Sequence, residues 1–168
     1  MKYIEKRELK GKTDILLNCV LEGFTRDVNK GVELMKEITN LMIHKYNILE
    51  LGIDFMGFSL QEKEKLTYHH LIVPRRLKGK ETIQNGAILI ETSHNYLHVI
   101  ESYDLEIFNL ITSEMIDENI NKIDLEHIKR IDSLLLFFEM EHRNHTTRKG
   151  KPIIKDEYIE KRYLRRLK

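Results

Sequence analysis

Residues 68–98 read YHHLIVPRRLKGKETIQNGAILIETSHNYLH and hold four of the chain's eight histidines: His69, His70, His94 and His98. The local structure of this window decides whether the four imidazoles are scattered or gathered. TYHHLIV at 67–73 has the aromatic and β-branched content of a strand, and AILI at 87–90 reads as a second short one. Between them lies a glycine-containing loop of about a dozen residues that ends in Asn85-Gly86. TSHNYLHVIESY then opens with Thr92 and Ser93, good N-cap types, and carries helical spacing. The predicted order is strand, long loop, strand, helix.

On a helix, His94 and His98 are four apart and project from one face within reach of a single ion. Imidazole is the commonest transition-metal ligand, although a pair at this spacing also occurs as plain surface polarity. The doubled His69-His70 adds what a metal nuclease needs, because a base that deprotonates water must stand apart from the groups holding the ion. Neighbours on a regular strand point to opposite faces, so one histidine can ligate while the other stays clear. For both to serve one pocket the strand must end there, and Pro74 suits that.

The steps from His70 to Asn85, Asn85 to His94 and His94 to His98 are 15, 9 and 4 residues. With His69 before the first member, this order and spacing resemble the HNH endonucleases, in particular the histidine-rich colicin DNase subgroup. The resemblance covers about residues 66–101. It implies an α+β fold, a mainly helical chain around a small ββα-metal core in which a β-hairpin and a helix clasp one divalent ion. It implies His70 as the general base, His69, His94 and His98 as metal ligands, and Asn85 as the residue that pins the long loop and orients the base. Asn85 also has a simpler reading, since Asn-Gly is a common turn pair. Arg75 and Arg76 follow Pro74 at the start of the loop, where a guanidinium matches a phosphate in charge and geometry; Lys78 and Lys80 are weaker candidates. Two features depart from the family. Ile90 and Ser93 stand where many members carry cysteines for a structural zinc, so packing must hold the hairpin, with Leu71, Val73, Ile88, Ile90, Leu97 and Val99 in the core. Lys78 replaces a glycine common in the loop.

The rest of the chain frames this window. A first helix is expected after Thr13-Asp14, carrying Ile15, Leu16, Leu17, Val20, Leu21 and Phe24, and a second over residues 28–49 with Leu34, Ile38, Leu41, Met42 and Ile48 inward. Residues 52–65 read as a connector. Helical periodicity returns at Leu105, Ile107, Phe108, Ile111 and Met115, and again from Ile123 to Phe138 with Asp124 as a cap. The expected organisation is an N-terminal helical segment (1–65), the HNH motif (66–101), C-terminal helices packing on it (102–142) and a basic tail (143–168), in one compact domain.

Net charge is +1, but ten Lys or Arg after residue 142 face only Asp156, Glu157 and Glu160, which leaves that tail at +7. Such a tail gives sequence-independent affinity for phosphates. Tyr158 and Tyr163 within it either stack on bases or pack inward. The lone Cys19, in an apolar run, excludes an intramolecular disulfide and fits a reducing compartment. No signal sequence or membrane span is expected, and the expected location is cytoplasmic.

These features together lead to the expectation of a single-metal endonuclease acting on nucleic acid, DNA in preference to RNA. The ion is divalent, with magnesium, manganese, nickel and zinc not distinguished by three nitrogen ligands. Rate is expected to fall as pH drops through about 6.5, the reference value for a histidine that must be neutral to act. The rival is a non-catalytic nucleic-acid-binding protein with a structural metal site, which the missing fourth protein ligand disfavours. A purely helical interaction protein with incidental histidines is a second rival. The flanking helices are compatible with a homodimer.

Overall fold

The structure is a computed structural model that describes residues 28–61, 65–73, 77, 79–120 and 122–163. The expected helix near residues 13–24 and Cys19 lie outside the described residues, as do Pro74, Arg75, Arg76, Lys78 and the last five residues of the tail. The chain divides into two compact units, Met1–Ile38 and Thr39–Lys168. Of the first, only the opening stretch of one helix is described, and its side chain Leu34 is not among those described.

The protein is α+β and mostly helical. Among the described residues there are six α-helices and one two-stranded sheet: α1 (Val28–Lys45), α2 (Ile48–Leu51), β1 (Leu66–His70), β2 (Gly86–Ile90), α3 (Glu91–Tyr103), α4 (Leu105–Ile120), α5 (Leu125–His142) and α6 (Asp156–Tyr163). The single long helix expected over 28–49 is broken, because Asn47 adopts a left-handed conformation (φ 51°) between α1 and α2, which Asn tolerates better than most residues. Ile38, Met42 and Ile48 are buried, while Leu41 is only half-buried.

The connector is far more structured than its charge and glycine content suggest. Ile53, Phe55, Met56 and Phe58 are fully or nearly fully buried, and the carboxylate of Asp54 sits among them. Asp54 Oδ1 accepts from the backbone N–H groups of Met56 and Phe58, each at 2.9 Å, and Oδ2 accepts from Ile90 N at 3.0 Å and from the Ser93 hydroxyl. Burial still pushes its carboxyl up to about 6, against the pull of those four donors. One side chain thereby ties the 53–59 turn to the junction of β2 and α3. Ser93 is therefore a buried tether, not a cap. The residue before α3 is Ile90, without a side-chain capping bond, and Thr92 lies within the helix.

β1 and β2 pair antiparallel, in a register that sets Leu66 opposite Ile90 and His70 opposite Gly86. Every residue of β2 is buried, since α3 and α4 both pack against it. α5 packs on α4, and α6 returns to α3. Asp124 caps α5 by accepting from the N–H groups of Glu126 (2.8 Å) and His127 (2.9 Å), the role its position predicted. Of the residues expected in the hairpin core, Leu71, Ile88, Ile90 and Leu97 are buried and Val99 is half-buried. Val73 is a correction: it is 41% exposed, because β1 ends at His70 and the chain has already left the sheet.

Part of the basic tail is built into the fold. Tyr158 is buried and stacks on Tyr96 with ring centres 4.5 Å apart and planes 12° apart, so Tyr158 packs inward and is withdrawn from any base. Arg162, 1% exposed, makes a two-pronged ion pair with Glu139 (Nη1–Oε1 2.7 Å, Nη2–Oε2 2.8 Å). Arg143, Arg148, Lys149 and Lys151 are exposed on the loop before α6. No helix among the described residues is long and apolar enough to cross a membrane.

Candidate metal centre

Two-residue periodicity splits the doubled histidine. His69, 7% exposed, projects from β1 toward α3, where its ring lies 5.0 Å from that of His94 and 5.6 Å from that of His98. His70 projects the other way, edge-on to the Tyr68 ring at 5.0 Å. The strand stops at His70. His69, His94 and His98 each offer a ring nitrogen within 4.8 Å of the others, close enough to hold a metal ion.

The outer partners of the three rings determine which nitrogens face inward. The Thr67 hydroxyl donates to Leu89 O (2.9 Å), so its oxygen is left to accept from His94 Nδ1 at 2.8 Å. That places the proton of His94 on Nδ1 and its lone pair on Nε2. His98 Nδ1 lies 3.0 Å from Glu101 Oε2, a carboxylate that likewise draws the ring proton outward. His94 Nε2 is 3.1 Å from His69 Nδ1. Two nitrogens bound to one zinc-sized ion stand about 3.3 Å apart in a tetrahedron and about 2.9 Å apart at a right angle, so 3.1 Å suits a shared ion.

Charge supports the same reading. Burial, followed by the neighbouring His94, His98 and His70, lowers His69 to about 3; burial, then His98 and His70, lowers His94 to about 4. Both rings are therefore neutral at physiological pH and keep the lone pairs a metal requires. His69 Nε2 is buried without a hydrogen-bond partner. The His98 side chain is 53% exposed, which opens the group to solvent on one side. Three nitrogen donors with an open face fit a reactive ion better than a closed structural one.

Asn85 holds the long loop. Its Oδ1 accepts from the N–H groups of Ile72 (2.9 Å) and Val73 (2.8 Å), and its Nδ2 donates to the carbonyls of Val73 and Lys80, both at 3.0 Å. All the bonding capacity of one amide is spent on joining the two ends of the loop. The pair Asn85-Gly86 is not used as a tight turn, since Asn85 ends a short 3-10 helix and Gly86, at φ −133°, begins β2. Glycine is needed at 86 for another reason: a Cβ there would lie 2.2 Å from Tyr68 Cε2.

Arg75 and Arg76 lie outside the described residues, so no position near the phosphate is assigned to them. Lys80 is exposed. Three residues that sequence reasoning did not single out complete the surroundings: Thr67 behind His94, Glu101 behind His98, and Glu81, whose Oε1 is 3.7 Å from His70 Nε2. Glu101 was legible, being three positions after His98 on the same helix face; Thr67 and Glu81 depend on strand register and loop path. Glu114, Asp117 and His127 form another group with suitable spacing. There Glu114 already pairs with Arg130 Nε at 2.8 Å, and His127 Nδ1 lies 3.1 Å from Asp124 Oδ1.

No family model, curated protein or solved structure matches this chain.

Proposed function

We propose that the protein is a metal-dependent endonuclease of the HNH type, hydrolysing phosphodiester bonds of nucleic acid, with DNA the favoured substrate. The observation that carries this reading is the division of labour at the end of β1. His69 joins His94 and His98 on one side, and His70 stands on the other, a strand-end arrangement that separates ligands from base.

Neutral His70 takes a proton from the attacking water, and the resulting nucleophile approaches phosphorus in line with the leaving oxygen. Asn85 keeps the loop over His70 at fixed length by tying Val73 to Lys80. Bound to His69, His94 and His98, a divalent ion would supply Lewis-acid stabilisation of charge on the phosphoryl group and on the departing 3′ oxygen. Products then end in 5′ phosphate and 3′ hydroxyl, as in the family the motif resembles. Arg143, Arg148, Lys149 and Lys151 are exposed and free of the packing that immobilises Tyr158 and Arg162, which suits contact with a phosphate backbone.

The test is incubation of purified, metal-stripped protein with plasmid and with RNA while manganese, nickel, zinc or magnesium is added in turn. The wild type is expected to nick or cut DNA with at least one of these ions. His70→Ala should abolish cleavage while still binding metal, and His94→Ala should lose metal and cleavage together. Metal and DNA binding by the wild type without cleavage under any ion would discard the enzyme in favour of a binding protein with a structural metal.

A further inference from the structure

We infer that Glu81 is a positioning residue for His70, holding its imidazole in the tautomer and orientation that accept a proton. This inference rests on the assignment of His70 as the base. The Glu81 and His70 side chains are 18% and 12% exposed, and Glu81 Oε1 lies 3.7 Å from His70 Nε2. Contraction by under 1 Å on substrate binding makes this a charge-assisted hydrogen bond of the usual 2.7–2.9 Å.

What distinguishes Glu81 from an incidental loop carboxylate is how tightly its backbone is held on both sides. The residue before it, Lys80, has its carbonyl bound by Asn85 Nδ2 at 3.0 Å. The residue after it, Thr82, is bound twice by one phenol: Tyr68 Oη accepts from Thr82 N at 3.0 Å and donates to Thr82 O at 2.7 Å. The Thr82 hydroxyl also accepts from Asn85 N at 3.2 Å. The same Tyr68 stands edge-on to the His70 ring, two residues along the strand and on the same face. It reaches this place because Gly86 has no Cβ to meet its ring. Tyr68, Asn85 and Gly86 therefore deliver a carboxylate to Nε2 of the histidine that neighbours a ligand but does not belong to the ligand group.

A carboxylate accepting from Nε2–H leaves Nδ1 as the proton-accepting nitrogen. It also stabilises the imidazolium formed once the proton arrives, the role an acidic partner plays behind a catalytic histidine. Because Glu81 acts through His70, its removal should change turnover and leave substrate binding alone.

The test compares Glu81→Ala and Glu81→Gln with the wild type, on a plasmid substrate with the ion that supports cleavage. Glu81→Ala should lower kcat about 10- to 1000-fold with KM within about threefold. Glu81→Gln, which keeps an accepting oxygen but not the charge, should fall between the two. Independently of activity, nitrogen NMR of the metal-free protein should show His70 as the Nε2–H tautomer in the wild type and as a mixture in Glu81→Ala. Thermal unfolding of both variants checks that each is folded. A wild type that cleaves, with kcat unmoved in a folded Glu81→Ala, overturns the positioning role alone, as does an unchanged tautomer. Absence of cleavage by the wild type with every ion overturns the endonuclease reading and the catalytic meaning of Glu81 with it.

Discussion

Replacing Thr67 by Val tests the metal centre without touching a ligand. Valine has nearly the shape of threonine and is at home in a strand, so β1 should persist. What disappears is the oxygen that accepts from His94 Nδ1 at 2.8 Å. Without it, neutral His94 either keeps its proton on Nδ1, as a part-buried donor with no acceptor, or moves it to Nε2. The second choice aims an N–H at His69 Nδ1, 3.1 Å away, where the wild type presents a lone pair. Binding an ion must then restore the first form, at the penalty of an unsatisfied buried donor, roughly 1–3 kcal/mol. That converts to a loss of about 10- to 100-fold in affinity, the range typical for loss of an outer partner. The assay is competition for zinc or cobalt against a chromogenic chelator near neutral pH, with circular dichroism to confirm folding. Thr67→Ser keeps the hydroxyl and should stay within about threefold of the wild type. If the wild type binds and Thr67→Val binds equally well, the tautomer argument is refuted; if Ser weakens binding as much as Val, the methyl contact and not the hydroxyl matters.

Two further outcomes concern stability. Glu118 is fully buried, neither carboxylate oxygen has a hydrogen-bond partner, and burial, with Asp54 next, pushes its carboxyl up to about 10 from an ordinary 4.5. The folded protein thus holds a proton that the unfolded chain releases, so this group stabilises the fold fully below pH 4.5 and loses that contribution as pH rises to about 10, at roughly 1.4 kcal/mol per pH unit. Glu118→Gln should remove that slope in urea titrations across the range, and an unaltered slope would exclude the buried acid as its source. Glu139→Ala leaves the buried Arg162 guanidinium without its two-pronged partner and should cost about 3–5 kcal/mol; a loss below about 1 kcal/mol in chemical denaturation would show that Asp132, 3.8 Å from Arg162 Nε, or water compensates.

The order of elements through the histidine window was legible because its signals are local. β-Branched content marks strands, an i, i+4 pair marks a helix face, and Asp124 announces the start of α5 through donors only two and three residues away. What the sequence hid is long-range. Asp54 looks like a charge in a glycine-rich connector, yet its carboxylate is spent on Ile90 and Ser93, 36 and 39 residues later. Once Ser93 is taken by that contact, the capping signal it carried is void. Thr67 reads as an ordinary strand residue until β2 brings Leu89 and α3 brings His94 beside it. Val73 reads as strand, but Asn85 captures its N–H and carbonyl and turns the chain out of the sheet. The Asn85-Gly86 pair misleads in an instructive way: its usual meaning is a positive-φ turn, whereas here the amide is a brace and the glycine is clearance for a ring.

The Asn85 brace has an engineering consequence. Since a single amide fastens both Val73 and Lys80, the intervening span is a bight of rope cleated at each end. Its contents can be lengthened, shortened or exchanged without slackening what lies behind the cleat, so a library confined to residues 74–79 could diversify substrate preference on an unchanged chassis.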